Sequence, residues 1–236
     1  MSGTALKIIA LILMTADHIG DYIPDMPLWL RWIGRISSPL FFFCAAEGAV
    51  HTSDRRRYLK RLWQASAAMA MLEAVLPAVL SMYFRITLYD FDNNIFLSIF
   101  QGVLIISILE STKNDSRKRT KYLLCYGGYQ FILAVLSYTV EVNDPIMAAG
   151  IDINLIPILR DWDSIVFTLL GSLWHSEGPA VLTASIVLFY FCRENKKRLA
   201  VWYSAYCALY FLIFVPQIGI HFFNFHKMIH ADSPEE

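Results

Sequence analysis

The sequence predicts an all-α fold: a polytopic transmembrane helical bundle of about seven to nine spans, with one broken or re-entrant segment near residues 145–175. Three observations predict it. Of the 236 residues, 56% are hydrophobic and only 17% are charged, where a soluble domain of this size carries about a quarter. Apolar windows long enough to cross a bilayer, roughly 17–25 residues, recur along the chain. The basic residues are gathered into short stretches between those windows. One integral membrane domain over residues 1–225 is expected, followed by a solvated tail over 226–236.

In chain order the expected spans are Ala5–Ile23, Trp32–Val50, Leu62–Met82, Asn94–Leu109, Tyr122–Val140, Pro179–Cys192 and Leu199–His221. The first is read as a span rather than a removable signal peptide. It is too long, carries polar residues inside the run and is followed by no small-x-small cleavage site. Cys44, Cys125, Cys192 and Cys207 fall in or at the edge of spans without CxxC spacing. That pattern fits small buried side chains better than a zinc site or a disulfide framework, and no metal is expected.

A formal net charge of zero conceals an asymmetry. Fourteen of the 20 Lys and Arg lie in Ser53–Arg61, Lys113–Lys121 and Arg193–Arg198, read as loops. Short loops rich in Lys and Arg stay cytoplasmic. The other connections are acidic, with Asp21, Asp25, Asp90, Asp92, Glu141, Asp144, Asp152, Asp161 and Asp163. The N-terminus is therefore expected inside. An odd number of crossings must separate Glu141 from Arg193. Pro145–Leu159 and Ile165–Trp174 are short and interrupted, and form either a re-entrant hairpin or two short spans. Non-helical backbone at that depth is tolerated only inside protein or beside water.

Ionisable groups inside spans are costly and usually face a bundle interior or a wet cavity. Here they are Asp17, His18, Arg35, Glu47, His51, Glu73 and, late in the chain, His221. Adjacent helical positions point about 100° apart, so Asp17 and His18 need separate environments. His18 lies roughly 16 Å along the helix from Lys7, at about 1.5 Å per residue. Arg35 enters the second span from the same side and is the expected partner of Asp17. That pair is either an interhelical clamp or part of a site. His18 is either a satisfied hydrogen-bonding residue or a group that moves a proton. Glu47 and His51, four apart, lie near enough to the interface to reach water. The cluster of Arg55, Arg56, Arg57, Lys60 and Arg61 is either a topology signal or a polyanion site at the membrane face.

Three segments, ALKIIALILMTADHIGDYIP, LRWIGRISSPLFFFCAAEGAVHT and NNIFLSIFQG, together resemble the TraX family of integral membrane proteins. The signatures are Asp17-His18-Ile19 closing an apolar helix, then Gly34, Arg35, Pro39, Leu40 and Phe41 in the pattern G-R-x-x-x-P-L-F. Glu47, Gly48 and Thr52 follow as E-G-x-x-x-T, and Asn94-Ile95-Phe96 opens the fourth span. Their order and spacing carry the resemblance over about the first 110 residues. The second half is looser. WHSEGPAV (Trp174–Val181) stands where the family has a tyrosine-glycine turn, and Pro216 and His221 depart from its aromatic-Pro-Leu-His ending.

The family's founding member N-acetylates the amino terminus of a conjugative pilin, and the family resembles wider transmembrane acyltransferases with a key histidine in the first span. The resemblance therefore implies an acetyl-CoA-dependent N-acetyltransferase in a bacterial inner membrane. His18 would be the catalytic base or acyl carrier, with Asp17 and Arg35 positioning it. A neutral imidazole can take the proton an attacking amine must lose. Arg35 or Asn94 could donate to the oxyanion. The basic cluster Arg55–Arg57 with Lys60 and Arg61 would hold the phosphates of acyl-CoA. Expected partners are acyl-CoA, membrane lipid and a peptide, sugar or small-amine acceptor, with no nucleic acid. A transporter built on the broken segment and a non-catalytic assembly factor are the competing classes.

Overall fold

The computed structural model describes residues 3–22, 26–27, 29–34, 36–79, 83, 94–143, 162–176 and 179–208. Among these residues the fold is helical, without a strand. The helices are α1 (Gly3–Tyr22), α2 (Trp29–Gly34), α3 (Ser37–His51), α4 (Arg55–Val79), α5 (Ile95–Ser111), α6 (Ser116–Val142), α7 (Trp162–Leu169) and α8 (Pro179–Cys192). A further helix, α9, covers residues 196–208.

The basic stretches expected as loops are mostly the first turns of helices, which corrects the expected boundaries. Arg55–Arg61 opens α4, Arg117–Lys121 lies in α6, and residues 196–198 open α9. Each start is set by a side-chain cap, because the first backbone N–H groups of a helix have no partner within it. Asp54 accepts from the Arg57 N–H at 2.9 Å, and Asp115 accepts from the Lys118 N–H at 3.0 Å. Asn195 accepts from the Lys197 and Arg198 N–H groups at 3.1 and 3.2 Å. Lys and Arg are good helix formers, so the helix runs on through them.

The second expected span, Trp32–Val50, is not one helix. It breaks between α2 and α3, and the Ile36 N–H turns back to the Ile33 carbonyl at 3.2 Å. Pro39 accounts for the break. In a continuous helix its ring would clash with the carbonyl four residues back, whereas in the first turn of a new helix it is tolerated.

The chain divides into two compact units, one of residues 1–44 with 191–236 and the other of residues 45–190. In the first, α1 packs on α2, and Phe42 meets Tyr206 edge to face with ring centroids 6.4 Å apart. In the second, α4 packs on α5 and α7, and α6 contacts both α5 and α7. Gly102 of α5 admits α8 closely: a Cβ there would lie 2.7 Å from the Cβ of Ile186.

The interior of the second unit mixes large apolar side chains, among them Leu97, Val103, Ile106, Ile186 and Phe189, with many small and hydroxyl ones. Ser66, Asn94, Ser98, Gln101, Ser137, Thr168, Ser172, Ser176, Thr183 and Ser185 are buried beside Ala45, Ala46, Ala49, Ala70 and Ala74. On α6, Leu124, Phe131 and Ile132 are 70%, 71% and 58% exposed. Small and hydroxyl residues at the helix contacts, with large apolar side chains also turned outward, fit helices that pack in lipid. Among the described residues two helices, over Gly3–Gly20 and Ser116–Val142, are long and apolar enough to cross a bilayer, and little of either is buried. Helices Ile95–Ser111 and Val181–Cys192 are apolar but shorter. The chain is a membrane protein.

Candidate functional site

In the first unit the site residues of α1 are set by its crossing with α2. A Cβ added to Gly34 would fall 2.3 Å from Asp17 Cβ, and one added to Gly20 would fall 2.9 Å from Arg31 Cγ. Asp17 and Gly20 are three apart on α1, as are Arg31 and Gly34 on α2, so the helices cross antiparallel along those faces. Asp17 is half-buried against α2, while His18, a turn of about 100° away, is exposed. The two therefore occupy separate environments, as helical geometry demands. Arg35 lies outside the described residues. The arginine whose stem packs on the Asp17 face is Arg31, which sequence reasoning passed over because it precedes the expected span.

Glu47 and His51 close α3. His51 Nδ1 lies 3.0 Å from the Glu47 carbonyl oxygen and 3.4 Å from its carboxylate, with the imidazole 72% exposed. This is a helix C-terminus satisfied by its own last turn. Gly48 provides room for the Tyr58 hydroxyl, which a Cβ would approach to 3.1 Å. The E-G-x-x-x-T motif thus shapes the turn from α3 into α4.

Arg55, first of the basic cluster, is already engaged. Its Nη2 pairs with Glu110 at 3.5 Å, and its Nε donates to the Ala49 carbonyl at 3.4 Å. Glu110 also accepts the Tyr190 hydroxyl at 2.6 Å. The start of α4, the end of α5 and the Tyr190 turn of α8 therefore meet. Arg56, Arg57, Lys60 and Arg61 follow along α4, where Arg57 pairs with exposed Asp54 at 3.8 Å.

Asn94 is buried and used twice. Its carbonyl oxygen caps α5 by accepting from the Leu97 N–H at 3.2 Å, and its amide donates to the Ser66 carbonyl at 2.9 Å. Ser66 lies eleven residues beyond Arg55, about 16 Å along α4, so Asn94 and the basic cluster are not brought together. Glu73 is buried farther along the same helix.

The largest polar constellation is one that the ionisable residues did not reveal. Helix α7 ends inside the second unit in a Schellman motif. Gly171 has φ +71° and its N–H reaches the Thr168 carbonyl at 2.9 Å, while the Ser172 N–H reaches the Phe167 carbonyl at 2.8 Å. Three further carbonyls are met by side chains from three helices. Trp63 Nε1 donates to Leu169 at 3.0 Å, the Tyr129 hydroxyl to Leu170 at 2.6 Å, and the Gln101 and Gln130 amides to Gly171. Gln101 accepts the Tyr126 hydroxyl at 3.0 Å, and Gln130 accepts the Leu173 N–H at 2.7 Å. Beyond them His175 Nε2 lies 2.7 Å from Ser137 Oγ, and its ring stacks on Phe167 with centroids 5.0 Å apart.

Eight residues of α7 extend only about 12 Å, too short to cross a bilayer. A short helix whose last carbonyls meet side-chain donors is satisfied without water. Its other expected arm, Pro145–Leu159, lies outside the described residues, as does His221. The signal that could have found this constellation was uncharged: Gln, Tyr, Ser and His at helical spacing within apolar runs. Cys44 and Cys192 are buried, as expected, but Cys125 is exposed on α6. Among the described residues no three His, Cys, Asp or Glu converge on a metal position.

A family model described as TraX protein matches residues 2–156. The "Probable fimbrial assembly protein FimC, serogroup H1" of Dichelobacter nodosus is 37% identical over 65 residues, 26% of this chain and 27% of that relative. The chain thus matches about a quarter of the length of that relative. No solved structure matches. The family match takes in Asp17, His18, Gly34, Arg35, the Arg55–Arg61 cluster and Asn94, and spans well over half of the sequence. The chain belongs to the TraX family.

Proposed function

We propose that the chain is a polytopic acyltransferase of the bacterial inner membrane. It takes acetyl groups from cytoplasmic acetyl-CoA and transfers them to an amine on a pilin-like peptide. The observation that carries this reading is the family match over residues 2–156, with His18 at the end of an apolar helix. His18 acts as general base or acyl carrier, with Asp17 and Arg35 holding its surroundings. Arg56, Lys60 and Arg61, with Arg57 beside its exposed partner Asp54, are the cations that would meet CoA phosphates, since Arg55 is paired with the largely buried Glu110. The N-terminus lies in the cytoplasm, on the side of the basic stretches. The fimbrial assembly name of the Dichelobacter nodosus relative favours a pilus subunit as acceptor over a sugar or lipid.

The test is acetyl transfer by purified protein to a peptide with a free amino terminus. Wild type should transfer, His18→Ala should fall by about a hundredfold or more, the usual range for a lost acid–base group, and His51→Ala should stay near wild type. Transfer by His18→Ala at the wild-type rate sinks the role of His18. Failure of acetyl-CoA to raise the Tm of wild type, together with pilus assembly by His18→Ala cells, would leave the assembly-factor reading in its place.

A further inference from the structure

The face of α6 turned away from Tyr126, Gln130 and Ser137 carries a separate feature. A cavity of about 500 Å³ there has as its described lining Ser116, Arg117, Thr120, Lys121, Leu124 and Cys125. These positions repeat at three to five residues and so share one helix face. All six are exposed. Lys118 is paired with Asp115 at 3.3 Å, whereas Arg117 and Lys121 form no ion pair among the described residues. Two hydroxyls, Ser116 and Thr120, alternate with the two cations.

The character of the face changes along the helix. Past the cations it becomes apolar at Leu124, opens at Gly127 and Gly128, where an added Cβ would meet nothing within 4 Å, and continues to Phe131 and Ile132. Tyr122, 48% exposed, stands at the change, the depth at which aromatic side chains settle between water and hydrocarbon. A cationic, hydroxyl-rich mouth leading to an apolar surface with a glycine notch matches an anionic amphiphile.

We infer that this cleft binds the headgroup of an acidic phospholipid. Its phosphate lies between Arg117 and Lys121, the hydroxyls of Ser116 and Thr120 donate to its oxygens, and one acyl chain runs past Leu124 into the gap at Gly127 and Gly128. Arginine meets a phosphate with two donors and lysine with a point charge. Acyl-CoA shares the phosphate chemistry, but its acyl end would point along a lipid-facing surface, away from the buried polar residues of the second unit. The inference rests on α6 crossing the membrane and is independent of the acyltransferase reading.

The test uses the full chain in nanodiscs of phosphatidylcholine, with and without phosphatidylglycerol, and binding followed by native mass spectrometry. Wild type should retain phosphatidylglycerol, and Arg117→Gln with Lys121→Gln should bind it roughly thirtyfold more weakly, given the usual contribution of each basic group at a membrane surface. Lys196→Gln with Lys197→Gln should bind as wild type does. Maleimide labelling of Cys125 should slow in phosphatidylglycerol for wild type but not for the Arg117/Lys121 variant, a readout made on folded protein. Equal retention by wild type and that variant overturns the inference. Displacement of the lipid by CoA at matched charge overturns it in favour of a nucleotide site, and displacement by inorganic phosphate alone overturns it in favour of a nonspecific anion patch.

Discussion

A methyl group on Gly34 would stand 2.3 Å from the Cβ of Asp17 and 2.6 Å from its Cα. Real Cβ atoms do not approach so closely, so Gly34 is required where α2 crosses α1. Gly34→Ala must push the two helices apart, and an overpacked contact costs about 1–3 kcal/mol. Gly127, with nothing within 4 Å of an added Cβ, is the opposite case. Gly127→Ala should stabilise by about 0.5–1 kcal/mol through helix propensity. Thermal unfolding in one detergent should show Tm falling for Gly34→Ala and rising for Gly127→Ala. Equal shifts would mean that the crossing is not built on contact with Asp17.

Gln130 joins both ends of the turn after α7, donating to the Gly171 carbonyl and accepting from the Leu173 N–H. Gln130→Leu keeps the helix but leaves Leu173 without that acceptor in a polar interior. A buried group so stranded costs about 1–3 kcal/mol. Tyr129→Phe removes only the donor to Leu170, at the more exposed edge, and should cost less. Tm measured for both variants checks the order. A Tm for Gln130→Leu equal to wild type would show that the turn draws no stability from α6.

The same residues show what was legible in the sequence. Composition and the apolar windows gave the helical fold, and the first and fifth windows became α1 and α6 with ends shifted by a few residues. The Gly34, Pro39 and Glu47 signatures gave the family, yet not their own meaning. Gly34 is a backbone contact, Pro39 breaks a span in two, and Glu47 serves a helix end. Hydropathy has no term for these, since each depends on a partner distant in sequence or on a carbonyl four residues back. The α7 turn stayed hidden for a related reason. Charge marks a costly group in any context, whereas Gln101, Gln130 and Ser137 reveal themselves only once their helix faces are known to point inward.

Arg55, Glu110 and Tyr190 tie three helix ends together at distances of 3.5 and 2.6 Å. Glu110 is only 12% exposed, so its carboxylate depends on those donors. Glu110→Leu alone removes the carboxylate partner of Arg55, and Arg55→Leu alone removes the cation beside Glu110, which keeps the Tyr190 hydroxyl. The double variant removes both charges of the pair. Coupled pairs of this kind depart from additivity by about 0.5–3 kcal/mol, and the double variant should be more stable than the sum of single losses predicts. A double-mutant cycle by chemical unfolding measures this. Additive losses would mean that the pair is only a surface contact.

At the start of α6, hydrogen bonds to the Asp115 carboxylate lower its pKa from the ordinary 3.8, first through the Lys118 backbone N–H and then through the Lys118 ammonium. The Asp115 side chain is 42% exposed, so salt screens the ammonium contribution. A carboxyl depressed on folding contributes stability that is whole above its unfolded pKa and is lost as pH falls through the lower folded value. The first turn of α6 should therefore hold its structure at neutral pH and loosen below pH 3.8. Asp115→Asn keeps a capping oxygen but carries no charge, and should lose that pH dependence while leaving the helix start in place. Circular dichroism of a peptide spanning the start of α6, titrated downward at low and high salt, distinguishes the cap from the charge. Identical acid transitions in wild type and Asp115→Asn would show that the carboxylate does not control how this helix begins.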